Sequence, residues 1–265
     1  MHDALSGRAE PRPYTAAMAD SPVPTVHAEP YRVRFDECGA DGTLRTSTYL
    51  RYMQDVASAH SSMAGYTREW YREHGIFWVV RYLDLHVLGA SGTGASVVVS
   101  TEVTGFRRIW ARRRSEFHDP HGVLLAEADV DWVVTTEQGR PTRVPAEIVS
   151  RFPALLTKYT PGRLELPDPP ESAFEVTRRA EPHELDPMAH VNNAAYIDQF
   201  EAALDGAGEG AMRTAFPRRY RIEYLAPAGP GVSLRWHVWP AGRAWAGRLR
   251  GDSGGELLRM VATTG

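Results

Sequence analysis

Glu37 to Gln54 runs ECGADGTLRTSTYLRYMQ, and Glu184 to Glu201 runs ELDPMAHVNNAAYIDQFE. At a constant offset of 147 residues Glu37 meets Glu184, Leu44 meets Val191, Tyr49 meets Tyr196, Leu50 meets Ile197 and Gln54 meets Glu201. The order of later motifs repeats as well. Arg108-Ile-Trp110-Ala-Arg-Arg113 answers to Arg243-Ala-Trp245-Ala-Gly-Arg248, and Asp119-Pro-His-Gly122-Val-Leu-Leu125 to Asp252-Ser-Gly-Gly-Glu-Leu-Leu258. A single shared Tyr or Leu pair carries no information, but three matches in one order mark a duplicated unit.

Each copy spells a helix followed by strands. Thr46 or Ser47 can cap a helix with Leu50, Met53 and Ala57 on its apolar face, and Gly65 stops it. Its counterpart opens near Asn192 or Asn193, carries Tyr196, Ile197, Phe200 and Leu204, and ends at Gly206 or Gly208. Strand-like runs follow at 77–80, 83–88, 95–103, 109–117, 123–128 and 130–135, and in the second copy at 219–225, 232–239, 244–250 and 257–262. On this alignment the second copy ends short of the first, as if a terminal strand were lost. The expected fold class is α+β: two units, each a long helix wrapped by an antiparallel sheet, with the sheets paired into one. Residues 1–30 read as a proline-rich flexible tail, 31–145 as the first unit, 146–172 as a linker and 173–265 as the second unit.

Of the 265 residues, 43% are hydrophobic and 24% charged, an ordinary globular composition. No apolar run is long enough to span a bilayer, so no membrane partner is expected. Thirty basic residues against 33 acidic ones give no case for nucleic acid. The single cysteine, Cys38, excludes an internal disulfide, no zinc-type spacing occurs, and no metal or cofactor is expected. Acidic Asp3, Glu10, Asp20 and Glu29 in the tail argue against a transit peptide, so the expected location is cytoplasmic.

VRFDECGADGTLRTSTYLRYMQDVASAH, FWVVRYLDLHV and DVDWVVTTEQGRPTRVP resemble the first half of the plant-type and bacterial acyl-ACP thioesterases. ELDPMAHVNNAAYIDQFE resembles the opening of their second half. The likeness extends from about Arg32 to the C-terminus. Its most specific part, His190-Val191-Asn192-Asn193 with Tyr196, also occurs in single-domain acyl-CoA thioesterases. The resemblance implies a tandem pair of hotdog domains, which agrees with the duplication. It also implies hydrolysis of acyl-ACP or acyl-CoA thioesters in fatty acid biosynthesis, by a monomeric pseudo-dimer or a homodimer.

Carried over residue by residue, the resemblance puts the catalytic Asp on Asp186 and the catalytic His on His190. The plant pattern's Asn two residues after the Asp falls on Met188, and a Glu further on falls on Pro227, although a neighbouring Glu is kept as Glu223. Glu201 aligns with a helix carboxylate of single-hotdog relatives; it and Glu223 are expected to support the site from behind, and Gln54 to be structural. The first copy has Gly39 and Thr43 where the second has Asp186 and His190. The first unit is therefore expected to be non-catalytic, and the resemblance implies that it lines an acyl pocket, with Leu50, Met53, Phe77 and Trp78 as candidates.

Thioester hydrolysis needs an activated water or a nucleophilic carboxylate, and donors for the oxyanion. Asp186, just ahead of a helix start, suits either carboxylate role. The helix N-terminus at Asn192 and Asn193 offers unpaired N–H groups and partial positive charge, and the N–H near Asn192 is the oxyanion donor implied by the resemblance. A histidine at position 190 can donate to the oxyanion or to the departing thiolate. Among the arginines of residues 107–114, Arg112 and Arg114 are spaced to share one strand face, where they can dock an acidic carrier protein. An acyl hydratase or dehydratase is a second reading, but its Asp-x-Asn-Pro-x-His pattern sets the His five residues after the Asp, against four here. A non-catalytic acyl-binding accessory protein is a third.

Overall fold

The computed structural model describes residues 23–152 and 159–265; the predicted tail lies, up to residue 22, outside the described residues. The first unit contributes β1 (Val26–Arg32), β2 (Ile76–Val87), β3 (Ser96–Arg107), β4 (Trp110–His118) and β5 (Leu124–Thr136). The second contributes β6 (Phe174–Arg179), β7 (Arg218–Tyr224), β8 (Ser233–Ala241), β9 (Ala244–Arg250) and β10 (Glu256–Thr264). All pair antiparallel in one sheet of order β1-β3-β4-β5-β2-β7-β10-β9-β8-β6, which maps onto itself when the units are exchanged. The seam is β2 against β7, with Leu83 opposite Ile222 and Leu85 opposite Tyr220. Among the described residues the α-helices are α1 (Thr46–Met63), α2 (Arg68–Glu73), α3 (Ala146–Arg151) and α4 (Ala195–Gly206).

Hydrophobic patterning explains the layers. On α1, Leu50, Met53, Val56 and Ala57 are buried while Arg51 and Asp55 face solvent, a helical stripe laid on the sheet. On β4, Ala111, Arg113, Ser115 and Phe117 point inward and alternate with less buried Arg112 and Arg114. A single apolar core joins Leu50, Leu83 and Phe117 of the first unit to Ile197, Phe200, Tyr220 and Trp236 of the second. Each such side chain contributes roughly 1.5–3 kcal/mol of burial, so neither unit has its main core to itself.

The duplication is visible in the hydrogen bonds. Glu37 accepts from Tyr52 and Glu184 from Gln199, each partner lying 15 residues on. The Arg45 N–H donates to the Glu37 carbonyl at 3.0 Å, as the Asn192 N–H donates to Glu184 at 2.8 Å. Gly39 N–H meets the Thr43 carbonyl, as Asp186 N–H meets that of His190. All of these equivalences preserve the offset of the two opening segments.

Several expectations are corrected. The runs at 77–80 and 83–88 are one strand, irregular between Val80 and Tyr82, and those at 123–128 and 130–135 are another. Strands β1 and β6 were not expected: as sheet edges, each pairs with a single neighbour, and β1 (VHAEPYR) alternates only partly buried residues with exposed ones. Val26–Pro30 thus belongs to the first unit rather than to the tail. Strand β10 completes the second unit, so no terminal strand is missing.

The paired arginine motifs are one residue out of register. The β3–β4 turn has Arg108 at φ 52° and the β8–β9 turn has Gly242 at φ 67°, which makes these two residues equivalent. Arg113 then lies opposite Val103 just as Gly247 lies opposite Val238. A one-residue slip exchanges the faces of a strand. The counterpart of inward-facing Arg113 is therefore Gly247. Arg248 instead donates to Asp168 and to the carbonyls of Leu166 and Pro167 in the linker.

Candidate active site

A cavity of about 460 Å³ lies in the first unit and is reached from the second. Phe77 and Trp78 of β2, Val103 and Phe106 of β3, Ala111 and Arg113 of β4, and Trp132 of β5 line the sheet side. Gln54, Ala57, Ser58 and Ser61 line it from α1, and Ile148 and Phe152 from the helix α3 region. The second unit supplies Asp186, Pro187, Met188 and Asn192.

The loop carrying Asp186 holds its own carboxylate. Leu185 and Val191 form an isolated antiparallel bridge, which closes the loop at its base. Asp186 Oδ1 accepts the N–H of Met188 at 2.8 Å and that of His190 at 3.2 Å. Oδ2 has no protein partner among the described residues, which leaves one carboxylate oxygen for chemistry. Ala189 closes the turn at φ 58°, where the first unit has Gly42 at φ 78°. A left-handed non-glycine residue costs about 1–2 kcal/mol, so the loop is strained beside the carboxylate.

His190 meets the Asp186 carboxylate through its backbone N–H; its ring has no hydrogen-bond partner among the described residues and is not part of the cavity wall. The expected oxyanion donor, the Asn192 N–H, is occupied by the Glu184 carbonyl. Asn192 Oδ1 accepts from the Ala194 N–H at 2.9 Å, which fixes the amide and leaves Nδ2 as a donor at the cavity. Asn193 is outside the wall, its carbonyl accepting from the Tyr224 hydroxyl at 3.2 Å. The helix starts at Ala195, later than the Asn pair suggested.

Glu201 is not behind this site. Its Oε1 accepts from Thr46 Oγ1 at 2.6 Å and from Tyr220 at 2.7 Å, and burial raises its carboxyl above the usual range. Thr46 opens α1, so Glu201 faces the first unit's loop. Its counterpart Gln54 lines the cavity along with Asp186. Pseudo-twofold packing sets each long helix against the other unit's loop, which reverses the roles expected of Gln54 and Glu201. Glu223 is also removed from the site: its Oε2 accepts the N–H of Leu164 in the linker at 3.0 Å. Phe77 and Trp78 line the cavity, whereas Leu50 and Met53 belong to the shared core.

Arg112 and Arg114 share the sheet's outer face, and both are already engaged by carboxylates. Arg112 grips buried Asp131 with two hydrogen bonds of 2.7 and 2.8 Å, donates to the Thr160 carbonyl and lies over the Tyr159 ring. Arg114 is held by Glu116 and Glu127.

A polar group that the motifs did not single out lies on the inward face of β4. Arg113 Nη1 donates to His60 Nδ1 at 3.1 Å and approaches Thr101 Oγ1 at 3.5 Å. His60 Nε2 in turn donates to the Pro24 carbonyl at 2.8 Å. Burial, reinforced by the Arg113 charge, pulls His60 down to about 4, and burial lowers Arg113 to about 10. The signal for this group was in the sequence: strand alternation through Ala111, Arg113, Ser115 and Phe117 puts the arginine inward.

Residues 24–152 match the family model of the acyl-ACP thioesterase N-terminal domain. The chain is 26% identical over 260 residues to a chloroplastic acyl-[acyl-carrier-protein] hydrolase of Cuphea viscosissima, covering 88% of this chain and 61% of that protein. It is 27% identical over 260 residues to a chloroplastic palmitoyl-acyl carrier protein thioesterase of Cuphea hookeriana, again covering 88% and 61%. The chain thus spans about three fifths of the length of these curated relatives. Among solved structures, an acyl-ACP thioesterase from Bacteroides thetaiotaomicron aligns with a TM-score of 0.77 at 16% identity, covering 90% of this chain and 97% of that one. The 12:0-ACP thioesterase from Umbellularia californica aligns with a TM-score of 0.75 at 20% identity, covering 91% and 97%. These likenesses identify the fold as the tandem hotdog, and the first of the two units is the part that matches the acyl-ACP thioesterase N-terminal domain model.

Proposed function

We propose that the protein hydrolyses acyl-ACP thioesters, releasing the free acid and the carrier thiol. The observation that carries this reading is the position of Asp186: a carboxylate from one unit lines the cavity enclosed by the other. The acyl chain occupies the cavity and the thioester carbonyl stays beside Asp186. Asp186 Oδ2 takes a proton from a water whose oxygen bonds to the carbonyl carbon. The negative charge on the carbonyl oxygen is met by the Asn192 Nδ2 and Gln54 side-chain donors, aided by the positive end of α4. The carbon–sulfur bond then breaks, and the departing thiolate takes up the proton held by Asp186. His190 serves through its N–H as a positioning group for the carboxylate. The choice of ACP over CoA is supported by the match of residues 24–152 to the acyl-ACP thioesterase N-terminal domain and by the likeness to the plant relatives, and not by Arg112 and Arg114, which are engaged within the protein. A hydratase is disfavoured because the His190 ring is not in the cavity wall, so the Asp–His pair of that reading is not assembled at the cavity.

Asp186→Asn tests the assignment, because the amide keeps the shape and removes the base. Hydrolysis of acyl-ACP should fall by ~10²–10⁴-fold with the melting temperature unchanged. Near-full turnover would overturn the role of Asp186. An acyl-CoA of matched chain should be a poorer substrate than the acyl-ACP, and equal kcat/KM would remove the preference for a protein carrier.

A further inference from the structure

Arg113 is 8% exposed, and what remains exposed lies at the cavity that it lines. Among the described residues its hydrogen-bond partners are neutral. His60 must present an unprotonated Nδ1 to accept from Nη1, since its Nε2 carries the proton given to Pro24. Thr101 offers a hydroxyl at 3.5 Å, and the Phe152 ring stacks at 5.6 Å from the guanidinium carbon. Among the described residues no carboxylate pairs with Arg113, and Nε and Nη2 have no protein acceptor. Arg112 and Arg114, one position away on the opposite face, are both saturated by carboxylates. The contrast matters because an uncompensated buried charge is expensive, and an apolar ligand that displaced water from it would leave the charge bare.

The rest of the cavity adds polar groups to this cation. Ser61 and Tyr71 also line the wall, the two hydroxyls 3.3 Å apart, with Trp78 Nε1 donating to Tyr71. Around them Val103, Phe106, Ile148 and Phe152 supply apolar surface suited to methylene groups. Asp186 and Arg113 thus line one cavity, a carboxylate for the chemistry and an unpaired cation contributed by a different strand and unit.

We propose that the cavity selects acyl chains bearing a carboxylate at the end remote from the thioester, with Arg113 as the specificity-determining residue that pairs with it. The preference rests on the thioesterase reading for its catalytic readout, while binding of the free acids does not. The open Nε and Nη2 edge of the guanidinium matches a carboxylate as a two-pronged donor. A plain alkyl end offers no acceptor there.

The test uses the full chain and two matched series, n-alkyl acyl-ACPs and ω-carboxyacyl-ACPs of equal length. The wild type should hydrolyse the best ω-carboxy substrate with a kcat/KM about tenfold or more above its n-alkyl equivalent, the worth of one charge-assisted hydrogen bond. Arg113→Met should reverse the order. Arg113→Lys, which keeps the charge and loses the fork, should retain a reduced preference. Binding of free dicarboxylic and monocarboxylic acids to the Asp186→Asn variant, followed by calorimetry, gives the second readout. Dicarboxylates should bind more tightly, and adding Arg113→Met should abolish the difference. If no thioester is hydrolysed but the dicarboxylate preference persists, the proposed activity falls and the assignment of Arg113 stands. Equal or better kcat/KM on n-alkyl chains in the wild type, or equal binding of the two acid classes, overturns the assignment without any need for Arg113→Met to fold.

Discussion

The same place in the two hotdog units is filled in opposite ways. Under α4, Gly247 lets Phe200 press against the sheet: a Cβ there would stand 2.5 Å from a Phe200 ring atom and 3.3 Å from Trp236. Under α1 the equivalent residue is Arg113, and Thr101 stands across the ladder where the second unit has Trp236. His60, in the last turn of α1, occupies the place of Ala207, which follows the end of α4. Two aromatic rings and two small residues close one unit, whereas three polar residues and a cavity open the other. A duplicated fold can therefore separate its features: one copy carries the Asp186 loop and fills its interior, and the other has Gly39 in place of that Asp and keeps the space.

The harshest way to break this comparison is to put the first unit's residue into the second. Gly247→Arg must displace Phe200 and bury a cation with no partner, a combined loss on the order of 5 kcal/mol. The variant should be insoluble or unfold at far lower urea than the wild type. A folded protein of near-normal stability would mean that the two positions are not equivalent.

A milder comparison uses pH. His60 is held near 4 in the folded state against an ordinary value of 6.5, so between these values the unfolded chain binds the additional proton. Stability is thus fully present above about pH 6.5 and falls as the pH drops toward 4. From pH 7 to pH 5 the loss from this residue should be about 2 kcal/mol in urea-unfolding free energy. His60→Ala, which installs the second unit's residue, should be less stable at pH 7 yet show a shallower acid slope. An unchanged slope would show that His60 is free to protonate in the fold.

The smallest effect is expected in the loops. Ala189→Gly gives the second unit the residue that the first has at Gly42 and relieves a left-handed alanine. After the entropy that glycine adds to the unfolded chain, a net gain of about 0.5 kcal/mol remains. Activity should drop if the strain helps to aim Asp186. A loss of stability would show that the loop does not hold Ala189 under strain.

Periodicity and repetition are properties of the local chain, and they were enough for the duplication, the two long helices, the antiparallel strands and the position of Asp186 ahead of the second helix. The residues misread were those whose partners lie elsewhere. Arg112 is neutralised by Asp131 across a strand pair, and Glu201 is bound by Thr46 from 155 residues away. Gln54 reached the site, and Glu201 did not, because the pseudo-twofold seam at β2 and β7 sets each helix against the other unit's loop. The edge strands were hidden because a strand paired on one side needs no strong apolar alternation. Arg113 was visible as one arginine in a run of three, but its lack of a carboxylate depends on what packs around it. Sequence by itself determined the two long helices and the strands that pair on both sides, since these follow from side-chain spacing. Only the tertiary structure decided which charges are paired and which face a cavity, since pairing depends on contacts between segments far apart in the chain.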